Sequence, residues 1–418
     1  YKTDIEQFIA RQYGAQVQIG QLSAGWQGTG PALLLQKVQV AAPRPAAERS
    51  DSAPLLQLQE LRVRLDFWAS LRALQLKADH FELSGLTLRL NSDQLLRPDS
   101  KPKDNTTLTA ALEQLLFHQL KHFTLVDSEL VIQSRYTPPI ALQLKRLSWQ
   151  NNGLRHQGSG EVLIEGVTGN ALSFVLDLHG ADLAGSEGQL YLASQDLNVL
   201  PWFETLLPQS RKLARADLNF AAWGDISRGT LSRLQVQLAE NKLIWRHDGE
   251  LRHLSLGDGQ LLWQPTEHGW QLLSSQLTLQ SNQQRWQDFQ LQLVRERTEL
   301  TGTLQQLQLA VAVPLAQLFA EDSVLLQQIL DYQTDARITR LGLQLADDSW
   351  YASGDFIDLK SEPVGDVPGV QGLSGHFSAS ADYIKVDVSG QQAALAWGEA
   401  FSRATPYESL SARLAVVK

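Results

Sequence analysis

Alternation with a period of two residues limits this chain's fold more than any other feature. Leu61-Arg62-Val63-Arg64-Leu65 puts apolar groups on one face of an extended segment and arginines on the other, because successive strand side chains point to opposite sides. The pattern returns at Leu86/Leu88/Leu90, Leu142/Leu144, Leu172/Phe174/Leu176/Leu178, Leu190/Leu192 and Leu218/Phe220. It continues at Leu234/Val236/Leu238, Leu277/Leu279, Phe289/Leu291/Leu293 and Ile384/Val386/Val388. Turn-forming stretches such as Asn151-Asn152-Gly153 and Gly257-Asp258-Gly259 separate the runs. The pattern predicts a mainly β chain, a long antiparallel meander with one apolar and one wetted face.

An apolar face of that size has to be covered, since each Leu left in water forgoes roughly 1.5–3 kcal/mol. Two covers serve: a second sheet, giving a closed sandwich, or the sheet curling on itself into a groove that holds lipid. Leu dominates these strands, although branching at Cβ suits a pleated strand better. A loosely packed Leu surface fits disordered acyl chains, but the pattern alone leaves both covers open.

Helical spacing interrupts the alternation in a few places. Thr3 and Glu6 have capping-box spacing. Ile5, Phe8, Ile9 and Tyr13 follow on one face and Gly14 ends the segment, so an N-terminal amphipathic helix is expected. Short helices are also expected near 107–120, carrying Leu108, Leu112, Leu115, Leu116 and Leu120, and near 198–207 and 314–330. Ala41 to Pro54, rich in Ala, Pro and Ser, reads as a surface loop. Residues 1–98 read as the helix plus a first β unit, and 99–418 as a continuing body.

The formal charge of −9 argues against nucleic acid, whose phosphates call for clustered Lys and Arg. Cysteine is absent, which excludes disulfides, thiol catalysis and Cys-based zinc sites. No apolar run approaches the ~18 residues of a membrane-spanning helix. His118 and His122 stand four apart, but Gln119 occupies the position of the glutamate in an HExxH protease and no third ligand is near, so they read as a structural pair. Gly158-Ser159-Gly160 is not a nucleophile elbow, and Gly28-Thr29-Gly30 lacks the third glycine of a dinucleotide loop. Trp149, Trp245, Trp263 and Trp397 lie inside alternating runs and are expected to pack into the sheet. The residues therefore point to no catalysis, no metal and no cofactor.

The opening carries a resemblance. Ile5-Glu6-Gln7-Phe8-Ile9 is followed by Gly14-Ala15-Gln16-Val17-Gln18-Ile19-Gly20, then Trp26 and the Pro-led segment Pro31 to Val40. Phe67-Trp68-Ala69-Ser70-Leu71 precedes Phe81-Glu82-Leu83-Ser84-Gly85-Leu86-Thr87-Leu88, and Val367-Pro368-Gly369-Val370-Gln371-Gly372-Leu373-Ser374-Gly375 comes late in the chain. These stretches resemble the AsmA-like family of Gram-negative envelope proteins. The resemblance is specific mainly over 1–90 and 363–390.

It implies an elongated antiparallel sheet curled into a groove, anchored in the inner membrane through a segment upstream of Tyr1. The body would run through the periplasm and continue beyond Lys418. It also implies passive phospholipid transport toward the outer membrane, in the manner of bridge-like lipid transfer proteins, with an outer-membrane or periplasmic protein partner. On that basis the groove is expected to be lined by Leu88, Leu144, Leu176, Leu178, Leu192, Phe220, Leu279, Leu293 and Val386, with Trp202 and Phe203 at a gate or rim. The rival reading is an envelope scaffold of closed β-sandwiches with no lipid path. An envelope glycan hydrolase, lacking any convergent polar site, is remote.

Overall fold

A computed structural model describes residues 2–3, 6–7, 16–27, 30–41, 56–65, 67–73, 78–91, 117–118, 120–133, 140–164, 172–200, 213–247, 249–257, 259–281, 284–316, 324–347, 349–397 and 403–417. The fold is mainly β, as the alternation predicts. Contacts divide the chain into two compact units, residues 1–197 with 222–232, and residues 198–221 with 233–418.

The first unit is built on β1 (Gln16–Gln27), β2 (Gly30–Ala41), β3 (Leu56–Leu65), β4 (Ala78–Ser84) and β5 (Thr87–Asn91), then β6 (His122–Gln133), β7 (Ile140–Asn152), β8 (Arg155–Ile164), β9 (Leu172–His179) and β10 (Glu187–Asn198). Strands β1 to β4 pair antiparallel in sequence order, as do β6 to β10. Between them the expected wholly antiparallel meander is broken, because β4 and β5 both pair with β6 in parallel, Phe81 beside Phe123 and Leu88 beside Leu130. Parallel neighbours require a crossover of a dozen or more residues, and the connection 92–121 is long enough to make one.

The second unit holds most of β11 (Leu213–Ser227) and β12 (Thr230–Leu238), then β13 (Asn241–His247), β14 (Glu250–Gly257), β15 (Gly259–Pro265), β16 (Gly269–Ser274) and β17 (Leu277–Ser281). It continues with β18 (Gln284–Glu296), β19 (Glu299–Gln308), β20 (Asp335–Ala346), β21 (Ser349–Lys360), β22 (Gly369–Gln371), β23 (Leu373–Ser380), β24 (Tyr383–Ala396) and β25 (Thr405–Val417). The short pairs β14–β15 and β16–β17 behave as long strands broken in the middle. β14 pairs with β17 and β15 with β16 in one constant register.

Strands of both units are bent by residues in the left-handed region: Lys37, Asp127 and Asp196 in the first, Asp288, Gln306, Asp358 and Gln392 in the second, with φ between 46° and 62°. Each costs roughly 1–2 kcal/mol for an ordinary residue, less for Asp. Such a residue resets the side-chain phase. Leu35 and Val38, either side of Lys37, are three apart yet both buried, as are Leu125 and Ser128 around Asp127. The bends at Lys37 and Gln306 each fall at a step that is missing from the ladder. Lys37 falls between the paired positions Ile19↔Val38 and Gln21↔Gln36, and Gln306 between Gln305↔Arg340 and Leu307↔Ile338. Each unit is therefore a sheet folded along a crease.

A single folded sheet buries its apolar face by closing on itself and by accepting short helices. In the first unit one cluster joins Ile19, Leu35, Val38, Leu58, Leu83, Phe123, Leu144 and Val162, from seven strands. Of the expected N-terminal helix, Lys2, Thr3, Glu6 and Gln7 are described and helical. Glu6 does not close a capping box; its carboxylate accepts the Ile19 amide at 2.8 Å and ties the segment to β1.

Three further helices are described. α1 (Phe67–Ala73) lies where alternation gave no signal, and α2 (Leu309–Ala316) and α3 (Val324–Asp331) bracket the expected helix near 314–330. The expected helices near 107–120 and 198–207 fall mostly outside the described residues. Among described helices none is long and apolar enough to cross a membrane.

Candidate functional site

Cross-strand register sorts the alternating residues into rows that run perpendicular to the strands. In the second unit one row passes through Leu234, Trp263, Leu272, Leu293, Gly302, Leu343, Ala352, Ala379, Ile384 and Val416, each the direct partner of the next. Beside it, Leu291, Leu304, Leu341, Gly354, Phe377, Val386 and Leu414 form a second row in the same way. Neither row contains a charge. At ~4.8 Å per strand the first covers a path of about 43 Å. A bilayer core of ~30 Å holds two opposed acyl tails, so the row exceeds one tail.

The first unit repeats the arrangement. Leu22, Leu35, Leu61, Leu83, Leu125, Leu147, Gly160, Phe174 and Leu192 form one uninterrupted row. Ala24, Leu33, Val63, Phe81, Phe123, Trp149, Gly158, Leu176 and Leu190 form the next. The parallel step at β4–β6 does not interrupt either row, since Leu83 and Phe81 pair with Leu125 and Phe123 on the same face.

In the second unit the two sides of the crease differ. On one side Leu213, Trp245, Leu254, Leu279 and Trp286 form a sealed cluster with Val311 of α2, and Trp245 and Val311 are 2% and 1% exposed. On the other side Leu234, Trp263, Leu272, Leu293 and Leu343 remain half-buried, with nothing in the α2 cluster covering them. One half is core; the other is an uncharged apolar track.

Glycines keep the tracks shallow. Gly158 pairs with Trp149, and a Cβ there would sit 2.6 Å from the indole ring. Gly354 pairs with Phe377 in the same way, at 2.8 Å, and Gly375 with Phe356 at 2.9 Å. Each large ring therefore lies flat across its partner strand instead of standing up into the face.

Charge lies on the opposite face. Arg155 and Asp177 pair at 2.6 Å, and Arg62 bridges Glu60 and Glu82. Asp355 accepts from His376 at 2.8 Å and from Arg340 at 3.2 Å. Hydrogen bonding from Arg155 holds the Asp177 carboxyl below the usual carboxylate range, and His376 does the same for Asp355. The Arg155–Asp177 and Asp355 pairs are exposed and the Arg62 bridge is half-buried; all work as surface ion pairs. The His118/His122 pair shares no helix, because His122 opens β6 while His118 is exposed in a π-helical turn before it. Among the described residues no group of three His, Cys, Asp or Glu converges as a metal site requires.

The expected lining residues fall in different places. Leu176 and Leu192 lie in the rows of the first unit, Leu293 and Val386 in those of the second. Phe220, half-buried, packs against the α2 cluster. Leu144, Leu178 and Leu279 are fully buried. Leu88 lies in β5, in register with Leu130, its side chain outside the described set. Trp202 and Phe203 lie outside the described residues. Of the tryptophans expected to pack, Trp245 is buried and Trp149 and Trp263 half-buried, whereas Trp397 is 41% exposed.

Sequence reasoning passed over Trp263, Leu272 and Leu343 as lining. Pairing Leu272 with Leu293 required the register, which sequence spacing does not supply.

The protein of Escherichia coli (strain K12) named intermembrane phospholipid transporter YhdP is 23% identical over 419 residues, covering 96% of this chain and 32% of that protein. The chain thus spans about a third of the relative's length. The family model described as YhdP protein matches residues 1–418, and by that match the chain belongs to the YhdP family.

Proposed function

We propose that this chain binds phospholipid by laying acyl tails along the apolar rows, and passes lipid between the inner and outer membranes without catalysing a reaction. The uncharged track of the second unit carries this reading: ten register partners from Leu234 to Val416 with no ion among them, half-buried along the stretch from Leu234 to Leu293 and exposed at Ile384 and Val416. The E. coli relative is named an intermembrane phospholipid transporter, which supports the same direction. In this reading the chain works in the periplasm of a Gram-negative cell, held to the inner membrane by an anchor upstream of Tyr1. A protein at the outer membrane or in the periplasm receives the lipid. Tails ride on the rows while head groups stay at the wet strand ends. Desolvating a charge is costly, so an uncharged track passes an apolar tail without trapping it.

Phospholipid content tests this. The chain is purified from a Gram-negative periplasm without detergent, extracted with solvent, and its phospholipid quantified per chain. Near-stoichiometric lipid that resists washing is expected. A folded protein that extracts clean would transfer the case to the scaffold of closed β modules.

A further inference from the structure

The end of β1 and the start of α1 carry a patch of exposed aromatic surface. Trp26 is 65% exposed, Phe67 41%, Trp68 72% and Leu71 56%. The Trp26 and Phe67 rings lie 6.0 Å apart and Phe67 and Trp68 5.3 Å apart, both edge to face. Leu71 follows Phe67 by four residues and Trp68 by three, so it shares their side of the helix. Single exposed apolar residues are ordinary, but contiguous ones mark a contact surface. Trp26 has the same strand parity as Leu22 and Ala24, the β1 members of the two apolar rows. The patch therefore continues the apolar face outward to the strand ends.

We propose that this patch seats in the headgroup region of a phospholipid bilayer. Indole rings, apolar in body with one polar N–H, settle at the membrane–water interface. A short helix showing Trp, Phe and Leu together with Arg is the pattern of a segment lying in that interface. The charge fits as well. From Leu61 to Lys77 the sequence holds Arg62, Arg64, Arg72 and Lys77 against Asp66 alone, in a chain whose net charge is −9. Arg62 is committed to Glu60 and Glu82. Arg72, exposed in the last turn of α1, stands beside the patch and can meet lipid phosphate. The seat is independent of conduction, since a chain can dock on a bilayer without carrying lipid.

The test is flotation of the 418-residue chain with vesicles of phosphatidylethanolamine and phosphatidylglycerol at 3:1, and with pure phosphatidylcholine. The wild type should float, more with the anionic vesicles. Trp26→Ser/Trp68→Ser should lose at least about tenfold in partition, and Arg72→Glu should lose the anionic preference. Trp350→Ser, an exposed tryptophan of the second unit, should float as the wild type does. Should the double variant melt early, Leu71→Asp, a change at an exposed position, gives the same readout. A wild type that stays at the bottom, or variants that float unchanged, would overturn the proposal. Phospholipid extracted from the same samples separates the two ideas. Flotation with clean extracts keeps the seat and removes conduction; bound lipid without flotation does the reverse.

Discussion

Phe377 lies across Gly354, its register partner on the neighbouring strand, so closely that a Cβ on the glycine would come within 2.8 Å of the ring and 2.9 Å of the Arg340 carbonyl oxygen. Glycine is needed there for space, since its backbone is not among those with positive φ. Gly354→Val should push the ring off the strand and cost about 1–3 kcal/mol by overpacking. Chemical denaturation reads this directly. A variant as stable as the wild type would mean that Phe377 has another rotamer at no expense.

A carboxylate in the track should be tolerated by the fold but not by lipid. Leu293→Glu or Leu343→Glu, both at half-buried positions, should remove most co-purifying phospholipid. Gln292→Glu, on the opposite face of the same strand, should leave it in place. Equal lipid in all three would remove the rows from the mechanism.

Val311 is the plug of the sealed half. Val311→Ala should lose about 1–2.5 kcal/mol, as deletions of buried methyls do, while lipid content stays at the wild-type level. A fall in lipid at unchanged stability would place α2 in the path instead of in the core.

The residues with positive φ can be relieved. Gln392→Gly, at φ 58° in the middle of β24, should gain about 0.5–1 kcal/mol, since glycine enters that region without the Cβ penalty. A loss would show that the Gln392 side chain holds the bend by its own contacts.

Acid should weaken the outer face slightly. Because His376 and Arg340 lower the Asp355 pKa in the folded protein, the stabilisation is present above the unfolded carboxylate value. It is lost as pH falls through the lower folded one. The pair is exposed, so the effect should be only a few tenths of a kcal/mol. Asp355→Asn should melt slightly below the wild type at pH 6, with the gap closing below about pH 4. A constant gap would assign it to packing.

The strands were legible in sequence because period-two alternation is a local signal, and Leu172/Phe174/Leu176/Leu178 falls on β9 as spaced. What the spacing could not carry was phase across the crease. Leu144 and Leu147 differ in parity, yet both pack into one cluster, because the register slips between Leu144 and Arg146. Nor could spacing show that Leu279 would be sealed, since its cover comes from Val311, distant in sequence. α1 stayed hidden because seven residues with Phe, Trp and Leu give as good a strand signal as a helix signal. The parallel step was invisible for a related reason: pairing direction leaves no mark on a strand's own residues.

Most strands here have their predecessor in sequence as a ladder partner, which fixes much of the order in which the chain can become structured. A sheet of this kind can grow largely one hairpin at a time as the chain emerges end first, most additions closing only a short loop. Such local closure is fast. Two additions close longer loops: β20 follows β19 only after residues 309–334, and β6 has the longest connection of all. β6 docks alongside β4 and β5 only after the chain has travelled through residues 92–121, a closure with a larger entropy to overcome. Until it docks, the Phe81–Leu83 face has an edge with no strand beyond it, ready to accept the wrong one. Assembly should therefore pause at that point, and chaperone attention and misfolding should concentrate there.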